Sequence, residues 1–366
     1  MSQRENAERE LSAQEVYSAR PTVRVDTQEY PKVTELLISV VMTEQEGGMS
    51  SLELRVSNVA SDPQGGADLA FEEDDILRLG AAIAIYGGDE TGPQEIFQGT
   101  ISGLEAEFSP DGPPELVVLA EDVFQRARMQ RRTATHEDVS IADLGNSLAA
   151  SLSLTPVITG FTENIGTQVQ LNESDLAFLR RILVRNDGDM QVVGDELHLS
   201  PRGEVRRGTQ TLELHGQLIR TRVTADLAHQ VTEVTVSGWD APEGRRVTRS
   251  SNGAHSGPGS GRTGAQVLRD AIAERSHHIG HLAITNEEEA QALADAAYDH
   301  RARRFVCVEG TAEGNPALRV GTEVTLSGLG PRFDNTYYVV RACHRWDVER
   351  GYETDFEAEC AFLGGA

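Results

Sequence analysis

The residues with the most chemical potential are few and scattered. His277, His278 and His281 lie in HHIGH, where spacings of three and four would let pairs share a helical face and offer imidazoles to a metal. Gly280 weakens that helix, and no carboxylate or cysteine stands at a suitable spacing, so the stretch reads as polar surface and no metal is assigned. THEDVS (135–140) holds a His-Glu pair, but a helix entry capped by Ser140 explains it. GPGSGRT (257–263) sketches a phosphate loop without its lysine or its leading strand, and reads as a flexible loop. His344 sits in a strand and reads as a structural hydrogen-bonding group. The three cysteines, Cys307, Cys343 and Cys360, are odd in number and fit no zinc spacing. No G-x-S-x-G, H-E-x-x-H or Walker lysine occurs, so neither a catalytic residue nor a cofactor is assigned and the chain is read as not an enzyme. What remains is charge. Arg126, Arg128, Arg131 and Arg132 cluster in an acidic chain, and Glu72, Glu73, Asp74 and Asp75 form a run that could answer them across a subunit or partner contact.

Composition sets the frame for those residues. The chain has 366 residues, enough for two or three domains, and a net charge of −25. Only Lys32 is a lysine among 33 basic residues, which suggests a GC-rich or salt-adapted source. Binding to a phosphate backbone needs cations to displace counterions, so nucleic-acid recognition is not expected, nor is attachment to an anionic membrane. The N-terminal MSQRENAERELSAQEVYSAR lacks the apolar core of a signal peptide. LLISVVM (36–42) is far short of the roughly 20 residues of a membrane helix, so stable membrane insertion is not expected. Synthesis in the cytoplasm follows as the expectation.

The elements that must carry these groups show clear periods. TELLISVVMTE (34–44), SSLELRVSNV (50–59), AAIAIYGG (81–88), QEIFQGTISGLEAEF (94–108) and ELVVLAED (115–122) read as strands separated by turn residues. Helices follow at 140–154, capped by Ser140 with Asp143, and at 172–188, capped by Asn172 or Ser174; a hairpin over 190–200 comes next. Strands resume at 210–216 and 231–240. The Gly/Ser-rich 250–265 reads as a mobile surface loop, and 286–304 as a helix capped by Asn286. The last strands are 304–310, 321–329, 335–348 and 352–362. The fold class is α+β, mainly antiparallel β. It comprises two similar tube-like β-barrel or sandwich domains and an inserted small α+β domain. The expected division is a polar arm (1–20), a first β-domain (21–122), an α+β domain (123–202), a second β-domain (203–240 with 304–366), and inserted loop and helices (241–303).

The two β-domains are read as copies because LRLGAAIAIYG (77–87) returns as LRVGTEVTLSG (318–328), 241 residues on. Leu77, Gly80, Ile83 and Ile85 fall on Leu318, Gly321, Val324 and Leu326. The same offset lays Ile96 and Phe97 over Tyr337 and Tyr338. A duplicated domain serves symmetry: three chains with two similar lobes each present six lobes around a ring.

Several segments carry a family resemblance. FEEDDILRLGAAIAIYGG with IFQGTISG, ESDLAFLRR (173–181) with its following hairpin, VTVSGWD (234–240), and GNPALRVGTEVTLSG with YYVVRACHRWDVERGYETDFEAE resemble the phage late control protein D family. That family includes VgrG-type baseplate hubs of contractile tails and injection systems. The likeness runs from about Pro21 to the end; Asn335 and Asp189-Met190 depart from its pattern. The resemblance implies a homotrimeric structural hub that adapts a six-fold inner tube protein to a three-fold spike, within a particle assembled in the cytoplasm. Other baseplate proteins, and a separate spike protein because the chain stops at Ala366, complete the expected partners. A tail-associated cell-wall hydrolase and a secreted β-sandwich adhesion or carbohydrate-binding protein are the alternative readings. The first lacks an acid/base pair; the second lacks a leader and has only two tryptophans for stacking on sugars.

Overall fold

The computed structural model describes residues 20–61, 67–72, 76–88, 93–240, 243–280, 284 and 286–364. The polar arm before Arg20, the acidic residues Glu73, Asp74 and Asp75, and His281 lie outside them.

Ten strands form the frame. The first five are β1 (Leu37–Gln45), β2 (Ser51–Ser57), β3 (Ala82–Gly87), β4 (Gln94–Glu107) and β5 (Glu115–Glu121). The second five are β6 (Leu218–Ala225), β7 (Val306–Glu313), β8 (Glu323–Ser327), β9 (Asn335–Asp347) and β10 (Gly351–Cys360). All belong to one 13-stranded sheet, in which β1-β2-β5-β4-β3 and β6-β7-β10-β9-β8 repeat one order of neighbours. Alternation makes them strands: Leu52, Leu54 and Val56 point into one core while their neighbours along β2 are exposed or half-buried. Each such buried aliphatic contributes about 1.5–3 kcal/mol by leaving water. The first module's core holds these residues with Ile83, Ile85 and Ile101. The second module's core holds Val308, Val324, Leu326 and Tyr337.

The duplication extends to registers and irregularities. Thr100 pairs with Glu121 in the first module, and Tyr338 with Glu359, each 238 residues on, in the second. A bulge lies between Ile101 and Gly103 on β4 and between Val339 and Arg341 on β9. A second bulge lies between Leu37 and Ser39 on β1 and between Leu218 and Arg220 on β6. The turn before β3 is copied as well. The Gly80 amide donates to Ile101 O and the Gly321 amide to Val339 O, both at 2.9 Å. Both glycines adopt left-handed backbone, with φ of 84° and 85°, which a side chain disfavours.

Two expectations change here. An offset of 241 holds only for the first strand of the phrase. On β4 and β9 the offset is 238, so Gly99 and Thr100, not Ile96 and Phe97, match Tyr337 and Tyr338, and Phe97 falls on Asn335. The turn after β3 absorbs the difference, and there Gly88 rather than Gly87 takes positive φ. Strand β6, over 218–225, is also present where none was expected.

The remaining elements attach to this frame. Residues 123–202 carry α1 (Phe124–Met129), α2 (Ile141–Leu152) and α3 (Asp175–Arg185), with strands Gly188–Val193 and Glu196–Pro201 paired behind them. Ser140 and Asp143 form the expected capping box, and Ser174 caps α3. Leu176, Leu179, Ile182 and Leu183 line a separate core with Leu144 and Leu148. The expected placement of 203–240 in the second β-domain is corrected at its end. The chain leaves the frame after β6, and Glu233–Asp240 pairs with Arg245–Ser251 and Ser276–Ile279 in a three-stranded sheet. α4 (Glu287–Arg303) packs with that sheet, its Ala290, Leu293 and Ala294 sharing a core with Val234, Val236 and Val247.

The Gly/Ser-rich stretch is held rather than mobile. Asp299 accepts the amides of Ala254 and His255, and the Ser260 amide donates to Asn335 Oδ1 at 3.0 Å. Gly261 stands where backbone approaches backbone: a Cβ there, where φ is +121°, would stand 2.1 Å from Leu363 O.

Candidate functional site

The two modules are joined by strand pairing. β9 is long enough to pair with β8 through its first half and with β1 through its second, from Arg341 opposite Gln45 to Asp347 opposite Ser39. One face of this joint is closed. Val40, Met42 and Glu44 from β1, and Ala342, His344 and Trp346 from β9, are all at most 5 % exposed. Trp346 and Tyr352 therefore complete the first module's core although they belong to the second.

A buried carboxylate fixes the joint. Glu44 Oε2 accepts from Arg319 Nε at 2.9 Å and Nη2 at 2.6 Å, and Oε1 accepts the Val320 amide at 2.5 Å. Gln191 of the 123–202 unit adds a long contact at 3.4 Å. Burial alone would raise the Glu44 pKa, but Arg319 outweighs it and holds the carboxyl below its ordinary range. His344 lies beside this pair and hydrogen-bonds Tyr352 Oη at 2.8 Å. Burial, then the Arg319 charge, push its pKa down to about 3, so it is neutral. That agrees with its reading as a structural group.

Arginines from flanking segments reach both modules at matching places. Glu121 on β5 and Glu359 on β10 are equivalent by register. Arg128 of α1 binds Glu121 at 2.8 Å, and Arg202 binds Glu359 at 2.6 Å. Arg202 also pairs with Glu46 and lies 4.1 Å from the Tyr338 ring centroid. Arg303 pairs with Asp187, and Arg207 with Asp189. A cleft of about 350 Å³ opens among Arg202, Arg206, His255 and Arg303. The guanidiniums of Arg202 and Arg303 are committed to these ion pairs.

The expected contact residues divide. Arg128 binds Glu121 and Arg132 binds Asp175 at 2.7 Å, while Arg126 and Arg131 are exposed. Glu72 is exposed, and the described ion pairs of this cluster do not involve it. The residues expected to form the ring, Leu77, Ile83, Ile85, Phe97, Leu318, Val324, Leu326 and Tyr338, are buried within the chain. The HHIGH motif begins in a strand, Ser276–Ile279, not a helix, and His278 bonds Ser237 at 2.8 Å. Among the described residues no group of three His, Cys, Asp or Glu could hold a metal, and no helix is long and apolar enough to cross a membrane.

Sequence reasoning missed the joint and the two strand edges that match it. Among the described residues β6 is the last strand at one end of the sheet, and β4 beyond Ile101 has no strand partner on the side that β3 occupies earlier. The available signal was Leu37-Ile38 with Thr43, repeated as Leu218-Ile219 with Thr224.

Comparison with known proteins places this architecture. It resembles a 43 kDa tail protein of prophage MuSo2 from Shewanella oneidensis, with a TM-score of 0.69 at 10 % identity over 93 % of this chain and 97 % of that one. A tail protein from Neisseria meningitidis gives a TM-score of 0.67 at 12 % identity, over 93 % and 96 % of the two chains. An E. coli component of the type VI secretion system, described as structurally similar to T4 tail proteins gp27 and gp5, gives 0.57 at 12 % identity over 94 % and 79 %. At such identities the likeness is one of fold. No curated protein matches the sequence. Residues 19–347 match the family model described as the Alg8 N-terminal domain, and the chain belongs to that family.

Proposed function

We propose that this protein is a structural hub of a contractile tail or injection system. Three copies form a ring whose six β-modules receive a six-fold inner tube, and a three-fold spike seats on the opposite face. Other baseplate proteins bind around it. The observation that carries this reading is the five-strand module repeated within one chain with matching bulges and matching glycine turns. Such a chain presents two similar lobes per copy, so a three-fold object can satisfy six-fold contacts. The shared fold with a prophage tail protein, a second tail protein and a type VI secretion component supports a role in a tail. The exposed arginines Arg126 and Arg131 and the acidic stretch at Glu72, Glu73, Asp74 and Asp75 are candidate contacts to neighbours in that assembly.

The test is solution mass combined with end-on electron microscopy, with and without the tube protein. A trimeric ring with six density lobes supports the reading. A chain that stays monomeric and does not bind tube protein sinks it.

A further inference from the structure

The joint inside the chain is a template for a joint between chains. Matching registers make Gly103–Glu107 the equivalent of Arg341–Arg345 on β9, and Arg220–Thr224 the equivalent of Ser39–Thr43 on β1; the same offsets carried past those pairs set Phe108 and Ser109 against Trp346 and Asp347, and Ala225 and Asp226 against Glu44 and Gln45. Within the chain, β9 and β1 use these stretches to pair with each other. Their counterparts have no such strand partner among the described residues.

We propose that the 103–109 edge of one copy pairs antiparallel with β6 of a second copy, in the register that β9 and β1 already use. The proposal rests on the ring reading and names its contact. Transferring the register sets Glu105 opposite Thr224, Ala106 opposite Val223, Glu107 opposite Arg222 and Phe108 opposite Thr221, where the chain's own joint has Cys343–Thr43, His344–Met42, Arg345–Val41 and Trp346–Val40.

Three features support a second copy as the occupant. The first is exposure. Trp346 is 5 % exposed in the joint, whereas its counterpart Phe108 is 67 % exposed and nearby Leu104 is 39 %. The second is charge. The 103–109 edge carries Glu105 and Glu107, and β6 carries Arg220 and Arg222, so the edges attract each other while each repels itself. Glu107 already accepts from Arg55 at 3.1 Å and Arg220 donates to Thr311 at 3.0 Å, which leaves room for a further contact at each. The third is backbone chemistry. An unpaired strand edge is a row of donors and acceptors that seeks another strand. The two edges differ, so the contact is head-to-tail and propagates from copy to copy until a ring closes.

Cysteine cross-linking tests the register. Thr43 Oγ1 and Cys343 Sγ lie 3.6 Å apart in the internal joint, so side chains at the equivalent pair can reach each other. The full chain is made with Cys307→Ser, because Cys307 lies opposite Thr224 on β7. Glu105→Cys and Thr224→Cys are then introduced singly and together. Under mild oxidation a mixture of the two single variants gives a covalent dimer, and the double variant gives a ladder ending in a closed species. Glu105→Cys mixed with Val223→Cys, one residue out of register, gives no bond. A multimer by mass with no 105–224 bond overturns this contact and leaves the ring reading standing. A bond formed by Glu105→Cys alone also overturns it, since that reports β4 pairing with itself. A monomer at every concentration, with and without tube protein, overturns both.

Discussion

Glu44 and Arg319, 275 residues apart in sequence, meet through two hydrogen bonds in a site where Glu44 is 1 % exposed. A buried pair of this kind contributes little net stability over an apolar pair, yet its half-removal is costly because a charge is left without its partner. It functions as a registry device: Glu44 comes from β1, Arg319 from the turn before β8, and only one alignment of the modules satisfies both.

Arg319→Met is therefore expected to cost about 3–5 kcal/mol. Arg319→Met with Glu44→Gln is expected to recover much of that loss, since no uncompensated charge remains. Urea unfolding of the single and double variants checks it; equal losses in both would remove the charge argument.

Stability should respond to pH through two opposed groups. His344 titrates at about 3 when folded, against 6.5 ordinarily. Between those values the unfolded chain holds the extra proton, so this contribution is present above about pH 6.5 and is lost as pH falls. Glu46 is pushed up by burial to about 7, against 4.5 ordinarily, with Arg202 opposing the rise. Here the folded chain holds the extra proton, so stability rises as pH falls from about 7 to 4.5. Each group has a slope of about 1.4 kcal/mol per pH unit within its window. In the overlap from about 6.5 to 4.5 the two offset each other. Glu46→Gln should make the protein more acid-sensitive than wild type in that range, and His344→Gln less. Urea midpoints measured from pH 4 to 8 read the difference, and unchanged profiles would refute the assignment.

The paired turns offer a comparison inside one molecule. A Cβ at Gly80 meets nothing within 4 Å, so Gly80→Ala has only its left-handed backbone to bear, about 1 kcal/mol. At Gly321 the added carbon would stand 2.4 Å from Arg207 Nη1 and 3.0 Å from Val205 Cγ1. Gly321→Ala should cost at least twice as much as Gly80→Ala. Thermal unfolding of the two variants measures the ratio.

Hydrogen exchange distinguishes a held Gly/Ser segment from a mobile one. The amides of Ala254, His255 and Ser260 donate to Asp299 and Asn335, so they should exchange slowly compared with a solvated loop. Asp299→Asn should weaken that protection at 254 and 255 while leaving Ser260 slow.

Local pattern carried much of this fold. The Leu52-Leu54-Val56 alternation, the Ser140–Asp143 cap and the Leu176-Leu179-Ile182-Leu183 stripe each state their own structure. The repeated phrase revealed the duplication because β3 and β8 keep Leu, Arg and Gly at one spacing. Turns of unequal length then shift the later strands by three residues, which a single offset cannot follow. β6 escaped notice because the apolar residues of LIRTRVTA do not alternate and only Leu218 is buried; it is an edge, and its neighbours in the sheet identify it. The Gly/Ser stretch misled for a related reason. Glycine marks close backbone approach as readily as freedom, and the partner of Gly261 is 102 residues away, at Leu363.

One difference between the copies matters for how an assembly is met from outside. β1 and β2 are joined by the few residues between Gln45 and Ser51, whereas the matching connection from β6 to β7, between Ala225 and Val306, carries a folded appendage with its own sheet and helix α4. Any closed assembly of such chains alternates bare and ornamented hairpins around its circumference. A binding protein that touches only the frame counts every hairpin; one that grips the ornament counts every second.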